Sequence, residues 1–97
     1  MTNINIVFEY DFNDVDIIAI PSEISYKIIE LGQEFLDWHG PKDDPDYWVV
    51  ENGRTIQVAE TVGFVKWLNM FHCLNEKKAY IVTQHTDYNP EYLSLDF

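Results

Sequence analysis

From Ile4 to Phe12 the chain alternates. Ile4, Ile6, Phe8, Tyr10 and Phe12 fall on one side, and Asn5, Glu9 and Asp11 on the other. A period of two predicts a strand with one buried face. Asn13-Asp14 reads as a turn. Val15 to Ile20, rich in β-branched residues, reads as a second strand, so the first two elements form a hairpin. After Pro21 the period changes. The Ser22 hydroxyl can accept a bond from a free backbone N–H at a helix start, and Glu23 suits the positive end of that helix. At about 100° per residue, Ile24, Ile28, Leu31, Phe35 and Trp38 share one face. Glu23, Glu30, Glu34 and Asp37 gather on another, within an arc of roughly 60°. Gly40-Pro41 ends the helix.

Lys42 to Asp46 is a loop, and Tyr47 to Glu51 is a strand. Asn52-Gly53 marks a tight hairpin, because both central residues of a type I′ turn need positive φ. Arg54 to Ala59 returns as the next strand. Thr61 suits the cap of a second helix from Val62 to Leu74. Its apolar residues wrap most of the circumference, leaving Lys66, Asn69 and His72 as a narrow polar side, so it reads as the buried helix. Gly63 lies on its apolar side, where a missing side chain allows close backbone approach. Glu76-Lys77-Lys78 is a solvated connection, Ala79 to Gln84 a strand, Asn89-Pro90 a turn, and Tyr92 to Phe97 a short last edge strand. The order ββαββαβ(β) predicts an α+β fold. It has a five- or six-stranded, mainly antiparallel sheet with both helices packed on one face. Trp67, Phe71, Ile28 and Phe35 are expected in its core.

The 97 residues make one domain, spanning 1–97. Three Trp, six Tyr and six Phe supply enough apolar area to argue against disorder. Charge alters the picture more. Seventeen Asp and Glu against six Lys and Arg leave a net charge of −11. A field of that sign repels nucleic acid and anionic membrane and steers basic partners inward. Cys73 is the single cysteine, so no internal disulfide can form. The N-terminus has neither the basic nor the apolar region of a secretory signal, and no apolar run matches a membrane helix. The expectation is a cytoplasmic protein.

No motif carries chemistry. His39, His72 and His85 do not stand at metal-ligand spacing with one another or with Cys73, and there is no Gly-rich phosphate loop. His72 and Cys73 diverge on their helix, which leaves Cys73 as an inert buried thiol. The carboxylates lie on exposed faces or loops rather than in apolar pockets. No catalytic residue, metal or cofactor is expected, and the chain reads as a binding protein rather than an enzyme. The segment Asp37 to Trp48 is more specific. Acids and large aromatics are interleaved there in a Pro-stiffened loop, and Tyr47 and Trp48 point to opposite faces of their strand. An exposed aromatic ringed by carboxylates suits contact with a basic partner. The candidate partner-binding residues are therefore Glu30, Glu34, Asp37, Asp43, Asp44, Asp46, Tyr47 and Trp48.

In size, acidity, α+β order and the acid-aromatic segment from Asp37 to Trp48, the whole chain resembles bacterial toxin-neutralising immunity proteins. It is most like those of contact-dependent growth inhibition systems. The resemblance implies a basic toxin domain as partner, a nuclease with ribonuclease favoured, whose active site an acidic surface blocks. It assigns no residue a role. Two other readings stand beside it. One is a nucleic-acid mimic that blocks a DNA- or RNA-binding protein, with Glu23, Glu30, Glu34 and Asp37 imitating a row of phosphates. Acids concentrated in one half of the chain, eleven before Tyr47 and six from there on, favour a single patch over such a mimic. The other reading is a small enzyme or ligand-binding module.

Overall fold

The computed structural model describes residues 1–73 and 76–97. The N-terminal alternation is realised as β1 (Thr2–Val7), which pairs antiparallel with β2 (Val15–Ile20). β1 ends well before its hydrophobic pattern does. The Asp11 N–H donates to the Phe8 carbonyl at 2.9 Å, and Glu9 and Tyr10 take up left-handed conformations at φ 53° and 59°. The turn therefore begins at Phe8, not at Asn13-Asp14. Tyr10 is exposed, and Phe12 leaves the sheet to meet the Tyr88 ring edge-on at 5.3 Å.

The main sheet has four strands, in the order β5-β2-β1-β6. β5 (Tyr80–Thr86) runs antiparallel to β2, and β6 (Leu93–Asp96) runs parallel to β1. β3 (Trp48–Glu51) and β4 (Arg54–Gln57) form a separate two-stranded hairpin. The expected single sheet of five or six strands is thus divided, and the larger part is mixed rather than mainly antiparallel. The hairpin holds its register through its own turn. Asn52 and Gly53 take φ 52° and 76°, as a type I′ turn requires. Val50 and Ile56 remain exposed, so little apolar area drives this ribbon onto the main sheet.

β5 and β6 occupy opposite edges, so the chain between them crosses the back of the sheet. Tyr88 and Tyr92 on this crossover pack against Val7, Val15 and Ile17. Asn5 is fully buried there. Its side-chain amide donates to the Asn89 carbonyl at 2.8 Å and its oxygen accepts the Asn89 N–H at 3.0 Å. The sheet is therefore covered on both faces, and Asn5, which the alternation places on a polar face, is an interior residue with its bonds made.

The first helical segment is broken into α1 (Ser22–Ser25) and α2 (Ile28–Trp38). Ser22 caps neither. Its hydroxyl lies 2.8 Å from that of Thr2, and Pro21 occupies the cap position of α1. α2 ends on His39 and Gly40, both at positive φ. α3 (Thr61–Phe71) begins at Thr61 rather than after it, and Leu74, the expected last apolar residue, lies outside the described residues. Both long helices cover one face of the sheet, as expected. Ile28, Leu31 and Phe35 from α2 and Phe64, Trp67 and Leu68 from α3 close over Ile4, Ile6, Ile18 and Ile20. α3 is not buried all round, however. Val62 and Met70 are exposed, and Phe71 is 48% exposed rather than in the core. A helix lying on a sheet buries one side, and α3 carries apolar residues beyond that arc. Gly63 does allow a close approach, since a Cβ there would stand 2.6 Å from the Asp46 carbonyl oxygen.

Candidate acidic interface

The loop after α2 builds a cation clamp. The Asp44 carbonyl accepts the N–H groups of Tyr47 and Trp48 at 3.1 and 3.0 Å, and Asp44 Oδ1 accepts the Asp46 N–H at 3.0 Å. These bonds aim two carboxylates at one point on α3. Lys66 Nζ sits there, 2.6 Å from Asp44 Oδ2, 3.2 Å from Asp46 Oδ2 and 5.3 Å from the centre of the Tyr47 ring. The bond from Lys66, and then the Asp46 N–H, hold the Asp44 carboxyl below its ordinary range. The Asp44 carboxylate in turn raises the Lys66 ammonium. Two carboxylates and an aromatic face hold a cation by charge and by the ring quadrupole together. In this loop the cation is the protein's own.

Tyr47 is therefore a core residue rather than a contact residue. It is 2% exposed and lies against Phe35 and Trp38, with ring centres 6.2 and 4.9 Å away. Burial pushes its phenol upward, and among the described residues its hydroxyl has no hydrogen-bond partner. Trp48 is partly buried. Its indole N–H donates to the His39 carbonyl at 2.6 Å, and Lys42 Nζ stands 5.6 Å from the ring centre. Asp43 is exposed.

The outer face of α2 is different. Glu30, Glu34 and Asp37 are all exposed. Beside the last two runs an open groove of about 530 Å³, lined by Glu34, Asp37, Trp38, Trp67, Phe71 and His72. The Trp38 and Phe71 rings meet edge to face with centres 5.5 Å apart. His72 Nε2 lies 3.1 Å from Glu34 Oε2 and ties the end of α3 to α2. The Gln33 amide donates to Asp37 Oδ1 at 3.1 Å. The fold thus brings Glu34 and Asp37 to one aromatic groove, leaves Glu30 along the same helix, and commits Asp44 and Asp46 to Lys66. Phe71 is the residue that the hydrophobic pattern misplaces. Its one signal is the excess apolar width of α3.

A second group of polar residues joins β2 to β5. The Asp16 carboxylate, 6% exposed, accepts the Thr61 hydroxyl at 2.5 Å and the His85 N–H at 3.1 Å, and His85 Nδ1 lies 2.7 Å from Asp14 Oδ1. The Asp14 carboxylate raises His85 above its ordinary range. His85, at φ 56°, belongs to an irregular stretch of β5 where the register with β2 shifts. With its bonds made from both sides, Asp16 joins α3, β2 and β5 and presents no free carboxylate for chemistry. Cys73 is buried, and burial raises its thiol, which disfavours the reactive thiolate. Among the described residues no three His, Cys, Asp or Glu side chains are arranged to hold a metal ion, and no helix is long and apolar enough to cross a membrane.

No protein-family model, curated protein or solved structure matches this chain. The functional reading therefore rests on the surface itself.

Proposed function

We propose that the protein neutralises a basic toxin domain, a nuclease and foremost a ribonuclease, by placing its acidic surface in the toxin's active-site cleft. One observation carries this reading. The exposed carboxylates of α2, Glu30, Glu34 and Asp37, adjoin a groove in which an aromatic ring, Phe71, is half exposed. Acids steer a basic partner inward and aromatic anchors supply binding energy after contact. A nuclease cleft is positive because it must hold a polyanion. Carboxylates that enter it neutralise that charge, and the bulk of the domain excludes the nucleic acid. No bond is made or broken in this mechanism, and it needs no cofactor. The inhibitor and its toxin would meet in the cytoplasm.

The test is co-expression with a basic nuclease domain encoded beside this protein. The expected result is survival of the host, co-purification of the two proteins and loss of RNA cleavage in vitro. Unimpaired cleavage in the presence of excess protein would overturn the reading.

A further inference from the structure

We infer that the groove between α2 and the end of α3 receives an arginine side chain of the partner. The inference rests on the acidic-interface reading above and names what that interface takes hold of.

The molecule contains a working example of the chemistry. At the Asp44–Asp46 loop, two carboxylates and the Tyr47 ring hold the Lys66 ammonium. The groove repeats those ingredients, with the carboxylates of Glu34 and Asp37 beside the rings of Trp38 and Phe71. No lysine or arginine lines it. His72 engages one oxygen of Glu34 and Gln33 one oxygen of Asp37. Each carboxylate has a second oxygen that can accept a bond from outside.

Charge and shape narrow the occupant. An acidic group is repelled. A purely apolar one covers the two carboxylates without bonding them, which costs free energy. A lysine ammonium is a compact, strongly hydrated point charge, and a groove of about 530 Å³ is wide for it. A guanidinium is flat, less hydrated and carries N–H donors in a rigid fork. It can lie on an aromatic face while its edge bonds carboxylates. Glu34 and Asp37 stand three residues apart on α2, hence on neighbouring turns of one face, within reach of a single side chain.

The experiment uses a short capped arginine-rich peptide and its lysine counterpart as probes. Binding is followed by amide NMR shifts and tryptophan fluorescence at moderate salt. The arginine peptide should bind about fivefold tighter than the lysine peptide. Its largest shifts should fall on Glu34, Asp37, Trp38 and Phe71. Phe71→Leu and Asp37→Asn should each remove that preference while leaving the lysine peptide's weaker binding within about twofold. Both positions are exposed, and melting curves check that the variants fold. Equal affinity for the two peptides overturns the inference, as does an arginine preference that survives both variants, or shifts centred on other acids. If a toxin is neutralised but arginine is not preferred, this inference fails alone. If the groove selects arginine but no basic toxin is neutralised, the proposed function fails alone.

Discussion

Replacing Asn5 by Ala removes both bonds that hold Asn89 across the back of the sheet. It leaves a buried N–H and a buried carbonyl without their partner. A loss of about 1–3 kcal/mol is expected, measured by urea unfolding. A change below the scatter of such measurements would mean that water or another group takes over the bonds. At His85 the expectation concerns pH. Asp14 raises the His85 pKa in the folded state, so the contact favours folding while the histidine is protonated. That contribution is complete below the ordinary histidine range and disappears as pH rises through the raised folded value. Histidine NMR should show His85 titrating above the ordinary range, and Asp14→Asn should bring it down. The candidate site was legible in the sequence only in kind. Acids among aromatics between Asp37 and Trp48 mark a place able to hold a cation. That Lys66 arrives there on α3 is a long-range fact that no local pattern contains. Tyr47 and Trp48 alternate across a strand, yet Gly63 and Phe35 decide which ring goes inside.

Among the elements, the β3–β4 hairpin should be the least protected. Its root is tied to α2, through Gln57, which donates to the Leu36 carbonyl at 3.0 Å, and through Trp48 on His39. Val50 to Ile56 are all exposed, and no third strand pairs with the hairpin. Amide exchange at Val50, Glu51 and Arg54 should run far ahead of exchange in β1 and β2. Comparable protection would show that the ribbon is covered in solution. The helices and most strands follow from period and turn chemistry, because those depend on neighbours in the chain. Assembly does not. Whether Arg54 and Ile56 join the main sheet depends on a face they would have to bury. Whether Leu93 pairs with Ile4 depends on a crossover that Asn5 receives. The break at Lys27 was hidden for a related reason. Ile24 and Ile28 keep helical spacing across it and both reach the core.

For the molecule as a whole, a net charge of −11 governs encounter. Association with a basic toxin should slow steeply as salt rises, while dissociation changes little. A salt-independent association rate would argue for an interface built on apolar contact alone. Reversing Glu30, Glu34 and Asp37 together to Lys should weaken binding strongly and leave the melting temperature nearly unchanged, because all three are exposed on α2. The corresponding reversal of Asp43, Asp44 and Asp46 is a poorer probe. It sets new positive charge against Lys66, so affinity and the seating of the loop on α3 would change together.

The parallel pairing of β6 with β1 bears on how quickly the chain finds its structure. Ile4 and Leu93 are partners, so nearly the full length must be ordered or looped before that ladder can close. The β1–β2 hairpin needs only a short loop and can form early. Strand β6 and its crossover are therefore expected to dock after the rate-limiting barrier. Asn5→Ala should then accelerate unfolding and barely slow refolding in a chevron analysis, giving a φ-value near zero, whereas Ile18→Val on β2 should give a fractional value. A high φ-value at Asn5 would place the closing of the sheet at the start of folding.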